Sequence, residues 1–247
     1  MTSKFYAIIS GAGSGTGRAV ALRFAKSYPI VLLSRSQSSY QPIVDDIRAA
    51  GGQALGFAAD ASDPAAVDAA FTSVAKEWPD RRLAAAIYNA NAGFANKPFL
   101  ELTEADLDTS LGTAAKGLFY FAQKTMPLLL STVNADPPNP PTLLVTGATA
   151  SLRGSVRFAT FAAGKFAQRA ITQSLAREFG PQGVHVALAI IDGGIDTPWG
   201  RELGLVEVTK DSKLKPEAIA ESYWHLHTQH RSAFTQELDL RPFSEKF

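Results

Sequence analysis

The stretch Ser10-Gly11-Ala12-Gly13-Ser14-Gly15-Thr16-Gly17 decides how this chain is read. It follows a short apolar run, Phe5–Ser10, and precedes a segment with helical spacing, Gly17–Lys26. In that segment Val20, Leu22, Phe24 and Ala25 form an apolar stripe among Arg18, Arg23 and Lys26. Strand, glycine loop and helix in that order make a phosphate cradle. Glycine lets the chain turn tightly and brings the backbone close to a pyrophosphate at a helix N-terminus. Glycine-rich turns are common, and it is the flanking strand and helix that give this one its meaning.

Outward from the loop the pattern alternates. Strands are expected at Ile30–Leu33, Ala54–Ala59, Leu83–Tyr88, Thr142–Thr146, Val184–Ile191 and Phe234–Leu240. Helices are expected at Pro42–Ala50, from the Asp63-Pro64 cap to Glu77, from Thr103 to Leu130, at Phe158–Phe179 and at Pro216–His227. Short, nearly uncharged strands alternating with amphipathic helices imply an α/β fold. The expected form is one doubly wound domain, residues 1–247, with a mostly parallel seven-stranded sheet and helices on both faces. The four-proline stretch within Val133–Pro141 reads as a surface excursion.

Composition narrows the function classes. Hydrophobic residues are 46% and charged residues 19%, which excludes a disordered chain. The 24 basic and 23 acidic residues give a net charge of +1, so no uniform field points to nucleic acid or an anionic membrane. Cysteine is absent, which removes disulfides, thiolate nucleophiles and zinc–thiolate sites. His225, His227 and His230 read as the polar face of a surface helix, without the carboxylate support of a metal site. No run approaches the roughly 20 apolar residues of a spanning helix, and no leader is visible, so a cytoplasmic location is expected.

The spacing Gly11-x3-Gly15-x-Gly17 resembles that of the short-chain dehydrogenase/reductase family, whose fold is of the Rossmann type. Three further motifs extend the resemblance over nearly the whole chain. Asp60 matches the family's adenine-contacting Asp, with Ala61 beside it. Ala90-Asn91-Ala92-Gly93 matches the family's Asn-Asn-Ala-Gly, with the first Asn displaced or lost. Asp192-Gly193-Gly194-Ile195-Asp196-Thr197 matches its Pro-Gly-x-Val-x-Thr, with Asp192 replacing the proline. The resemblance implies a nicotinamide cofactor held by Gly11, Ser14, Gly15, Thr16, Gly17, Asn91, Ala92, Gly93, Gly193, Ile195 and Thr197. Ser34 stands where an acidic residue would accept from a free ribose, and Arg35 follows it. That pair favours NADP(H), because a guanidinium pairs with a phosphate dianion. The alternative for Arg35 is a solvated surface arginine.

The resemblance also implies a catalytic Tyr-x3-Lys with a Ser thirteen residues earlier and an Asn on the long fourth helix. Here Lys165 is present, but Phe161, Ala148 and Ala114 occupy the other positions. Lys165 is then expected to bind the nicotinamide ribose. Thr149 or Ser151 could replace the Ser, and nothing obvious replaces the Tyr. A ketone needs a proton as charge builds on its oxygen, whereas an iminium does not. The expectation is an NADP(H)-dependent reductase of an activated electrophile, with Asp192 either stabilising a substrate cation or capping the following turn. Arg153 and Arg157 are expected at the pocket border. Phe94, Phe158, Phe161 and Trp199 could instead fold a polyene for cyclisation, as in some members of the family that the chain resembles in fungal secondary metabolism. A cofactor binder without catalysis is the third reading. Residues 193–215 are expected to form a substrate lid. Apolar residues on the long helices, among them Phe119, Phe121, Phe166 and Leu175, imply a homodimer or homotetramer acting on a small-molecule substrate.

Overall fold

A computed structural model describes residues 3–202 and 211–244. Seven strands form one sheet in the order β3-β2-β1-β4-β5-β6-β7: β1 (Phe5–Ser10), β2 (Ile30–Ser34), β3 (Ala54–Ala58), β4 (Arg82–Tyr88), β5 (Thr142–Ala148), β6 (His185–Ile191) and β7 (Glu237–Leu240). Every adjacent pair is parallel, so the mixed sheet that the sequence left open is fully parallel. The chain reverses direction across the sheet between β1 and β4. In such sheets the crevice above that switch point takes the ligand.

Alternation along the strands divides the core into two layers. Ile9, Leu32, Ile87, Leu144 and Ala189 face one side, under α1 (Thr16–Ala25), α2 (Gln37–Ala49) and α8 (Pro216–His227). Ile8, Leu33, Tyr88, Val145 and Leu188 face the other, where Phe71 and Val74 of α3 (Pro64–Glu77) and Phe121 and Leu129 of α5 (Leu118–Val133) meet them. The long α6 (Ala159–Phe179) closes this second layer with Ile171 and Leu175. Among the described residues no helix is long and apolar enough to cross a membrane.

Three local expectations are corrected. α2 starts at Gln37, five residues before the expected Pro42, which therefore lies inside the helix and forgoes one backbone bond there. The expected helix from Thr103 to Leu130 is broken into α4 (Glu104–Leu111), a π-helical segment over Gly112–Gly117, and α5. The break has a visible cause. The Tyr88 hydroxyl donates to the Thr113 carbonyl from below, and a Cβ on Gly117 would lie 2.3 Å from that hydroxyl oxygen. A buried phenol thus occupies the space that a regular helix would fill. Of the apolar residues taken as an oligomer face, Phe121 is core and Leu175 is partly buried, while Phe119 and Phe166 stay 47% and 43% exposed.

The third correction is His227, which is no surface residue. It is fully buried, against Phe24, Tyr28 and Trp224. Its hydrogen bonds fix its protonation. Thr142 spends its hydroxyl proton on the Pro140 carbonyl, so His227 Nδ1 must donate to Thr142 Oγ1 at 3.0 Å. Nε2 then accepts from the Tyr28 hydroxyl at 2.9 Å, and Asn139 donates to that hydroxyl in turn. The chain of donors works only with a neutral imidazole, and it pins the proline-rich excursion to the core through Asn139.

Burial, with a smaller push from His185, lowers the His227 pKa to about 3. The unfolded chain binds this proton near pH 6.5, so between those values it holds more protons than the folded chain. Stability is therefore complete above pH 6.5 and falls as the pH drops. We expect a loss on the order of 2 kcal/mol between pH 7.5 and pH 5 from this group. Urea unfolding at the two pH values measures it, and His227→Gln should flatten the difference even while lowering stability overall.

Candidate active site

Two adjoining cavities open at the C-terminal edge of the sheet, one of about 510 Å³ and one of about 620 Å³. They share Gly11, Gly13, Asn89 and Asn91 at the switch point. The smaller is rimmed by Ser34, Arg35, Ser36 and Ser39, with Asp60, Ala61 and Ala92 deeper along the strand ends. The larger runs from the glycine loop past Lys165 to Phe94, Phe158 and Phe161.

The glycine loop is held by close approach. Gly11 sits at φ +88°, and a Cβ there would lie 2.5 Å from the Ala90 nitrogen. A Cβ on Gly17 would lie 2.4 Å from the Gly11 carbonyl oxygen. Side chains are therefore excluded at both positions, and the N-terminus of α1 comes directly onto the strand ends. No side chain caps α1, and its first turn carries no acid. The Thr16 hydroxyl is buried there with no hydrogen-bond partner among the described residues. An open helix N-terminus with an orphaned hydroxyl suits a pyrophosphate. Ser14 is exposed and lines neither cavity, and Gly93 at φ +84° lines a third, smaller hollow with Phe94.

At the other end Arg35 is exposed and makes no hydrogen bond or ion pair among the described residues, its charge felt by Asp60. Ser36 is the N-cap residue of α2, yet its hydroxyl pairs with Ser38 and Ser39 rather than capping the backbone. Ser34 donates to the Ser36 carbonyl at 2.9 Å. A guanidinium, a ring of hydroxyls and a second uncapped helix start thus face one corner. Partial burial raises the Asp60 pKa, but two hydrogen bonds from Ser62 and the Arg35 charge outweigh it and hold the carboxyl below its usual range. The residues present fit a dinucleotide.

Asn89 is the residue that sequence reading undervalued. It was set outside the matching tetrad, yet it stands at the end of β4. It donates from Nδ2 to the Gly11 carbonyl at 2.9 Å and accepts at Oδ1 from the Thr146 hydroxyl at 3.0 Å. Its position directly after Tyr88 was the available signal. The Thr146 hydroxyl in turn faces the buried Tyr223 hydroxyl at 2.8 Å.

Lys165 is 4% exposed and projects from α6 into the larger cavity. Its ammonium donates to the Thr146 carbonyl at 2.9 Å and to Gln168 Oε1 at 3.0 Å. No carboxylate pairs with it among the described residues. Burial pushes its pKa down to about 8. The Phe161 ring centroid lies 5.9 Å from Nζ, and Phe94 packs on Phe158 and Phe161 at centroid distances of 5.1 Å and 5.5 Å. Ala148 lines the same cavity. The Ser151 hydroxyl is fully buried, accepts from the Ala148 amide and lines neither cavity. Arg153 and Arg157 line neither cavity; Arg157 turns to the Asn96 carbonyl.

Asp192 is buried and does not itself line the larger cavity. Its carboxylate accepts from the Thr149 hydroxyl and faces the Arg241 guanidinium at 3.4 Å. It does not stand free to meet a substrate cation, because both oxygens already have protein partners. Gly193, Ile195 and Thr197 do line the cavity, and Thr197 accepts from the Gly200 amide, near the start of the short α7 (Pro198–Glu202). Ile195 bridges to Leu214, which clips together the two ends of the expected lid. The Trp199 side chain and residues 203–210 of that segment lie outside the described residues.

Comparison with known proteins agrees with this geometry. A family model described as short chain dehydrogenase matches residues 6–206. The sepiapterin reductase of Chlorobaculum tepidum is 26% identical over 98% of this chain and 97% of its own length. A short-chain dehydrogenase structure from Rhodopseudomonas palustris superimposes with a TM-score of 0.81 at 30% identity, covering 98% of this chain and 100% of that one. An alcohol dehydrogenase from Thermococcus sibiricus, complexed with 5-hydroxy-NADP, shares the fold at a TM-score of 0.83 and 23% identity, over 98% of each chain. With its parallel sheet, glycine loop, buried lysine and matching family model, the chain belongs to the short-chain dehydrogenase/reductase family of oxidoreductases.

Proposed function

We propose that the protein is an NADP(H)-dependent reductase of a pre-activated electrophile, typified by an iminium ion, acting without a phenol proton donor. One observation carries the reading. Lys165 is buried at the cavity wall, and among the described residues that line this cavity none is a tyrosine: Phe161 stands beside the lysine, and Ala148 lines the same cavity.

Arg35 and the serines at the start of α2 would hold the 2′-phosphate, Asp60 the adenine end, the α1 N-terminus with Thr16 the pyrophosphate, and Asn91, Thr197 and Lys165 the nicotinamide half. NADPH, when bound, supplies a hydride. The chain's own residues do the rest. Phe94, Phe158 and Phe161 give a cation an aromatic face. Hydride addition to a C=N⁺ carbon moves the π pair onto nitrogen and cancels the charge, so no proton is required. The same addition to a ketone leaves an alkoxide, for which this site holds no Tyr. The segment 193–215, rooted at the Ile195–Leu214 bridge, serves as the substrate lid.

The three-ring wall also favours a second reading, ring closure of a folded polyene with the cofactor unchanged. We further assign the exposed Phe119 of α5 and Phe166 of α6 to a two-fold contact between copies of this chain.

Three outcomes test these assignments. Arg35→Ala should weaken NADPH binding by about 1.5–3 kcal/mol and leave NADH binding nearly unchanged, as fluorescence titration measures. In single-turnover assays the parent should oxidise NADPH with protonated cyclic imines and not with matched ketones, and Phe161→Tyr should not be needed for that turnover. Ketone reduction by the parent would contradict the reading, and cyclised polyene without NADPH oxidation would establish the second one. Sedimentation at micromolar concentration should give a dimer or larger, and Phe166→Glu should shift it toward the monomer.

A further inference from the structure

Thr149 lines the larger cavity between Ala148 and Ala150, and its hydroxyl hydrogen is already committed. Thr149 Oγ1 lies 2.5 Å from Asp192 Oδ1, the separation of a hydroxyl donating to a carboxylate. A carboxylate beside a guanidinium can only accept, so the direction of this bond is fixed. Asp192 is buried, its second oxygen faces Arg241, and its amide donates to the Leu240 carbonyl at 2.8 Å. The carboxylate thus lies between β6 and the end of β7, on the Thr149 hydroxyl and facing an Arg241 guanidinium that also pairs with Asp239. A hydroxyl has one proton and two lone pairs. With the proton spent on Asp192, and with no described residue donating to Thr149 Oγ1, only lone pairs remain for a ligand.

We infer that Thr149, oriented by Asp192, is a specificity-determining residue that accepts a hydrogen bond from a substrate N–H group. The substrate is thereby a protonated imine, whose N–H persists in the neutral secondary amine that hydride addition leaves, rather than a carbonyl compound. For its substrate class this rests on the reductase reading above. It goes further in naming the atom that selects: a hydroxyl that cannot donate rejects a carbonyl oxygen and welcomes a cationic N–H. Asp192 acts here as a positioning residue. Its negative charge reaches the cavity through the polarised hydroxyl, which places a partial negative charge where the substrate nitrogen is positive. Arg241 and the Leu240 carbonyl hold that arrangement in place.

Binding, not turnover, tests the inference. The probes are 1,2,3,4-tetrahydroisoquinoline, protonated at neutral pH and carrying N–H, and its N,N-dimethyl quaternary ion, which has the same charge and none. Calorimetry with the full chain, with and without NADPH, should show the N–H ion bound on the order of 10-fold or more tighter by the parent. Thr149→Ser should keep that ratio. Thr149→Val should bring it close to one, and Thr149→Ala, which asks less of the packing, should do the same. A ratio near one in the parent, no binding of the secondary ammonium, or an unchanged ratio in Thr149→Ala would overturn the inference. A parent that shows the ratio yet oxidises no NADPH with any iminium supports the inference and removes the reductase reading alone.

Discussion

One residue, Thr146 on β5, ties the site together. Its carbonyl receives the Lys165 ammonium, and its hydroxyl joins Asn89 to Tyr223. Asn89 then reaches the Gly11 carbonyl, so the glycine loop, β4, β5, α6 and α8 meet through one short polar chain. Donor directions along it are forced. Asn89 gives its amide hydrogen to Gly11, Thr146 gives its hydroxyl hydrogen to Asn89, and Tyr223 must therefore donate to Thr146. The phenol of Tyr223, pushed well above its ordinary pKa by burial, keeps the proton that this order requires.

The same network explains why a lysine can be buried without a carboxylate. Two of its three N–H groups have fixed acceptors in Thr146 and Gln168. A buried ammonium in that state is costly, and its lowered pKa expresses the cost. Phe161 adds only an aromatic face at 5.9 Å, which cannot take or give a proton. The site thus keeps the parts that bind and orient a dinucleotide and substitutes apolar groups where a proton would be handled. Asp192 and Thr149 add a different polarity at the wall, a hydroxyl turned into an acceptor.

Much of this was legible in the sequence, and the rest had physical reasons to hide. The strand–loop–helix around Gly11–Gly17 and the Asp63 cap were readable because they are local: glycine spacing and a capping carboxylate act within a few residues. Phe161 and Ala148 were readable by counting from Lys165. Four features depended on contacts between distant segments. The break in the expected long helix comes from Tyr88, 25 residues before Thr113. The burial of His227 comes from Tyr28 and Thr142, on other elements. The place of Asn89 follows from its pairing across β1 and β5. The occupancy of Asp192 follows from Thr149 and from Arg241 near the end of the chain. No periodicity encodes such meetings.

The central claim is that hydride transfer at this site proceeds without proton transfer to the substrate. Isotope effects on single-turnover reduction of a cyclic imine, protonated in solution, test it most directly. NADPH deuterated at the transferred position should slow the step clearly, while exchange of water for D2O should leave it near unity. A solvent effect well above one, accompanying the effect of the deuterated cofactor in the same step, would reveal a proton donor and contradict the account.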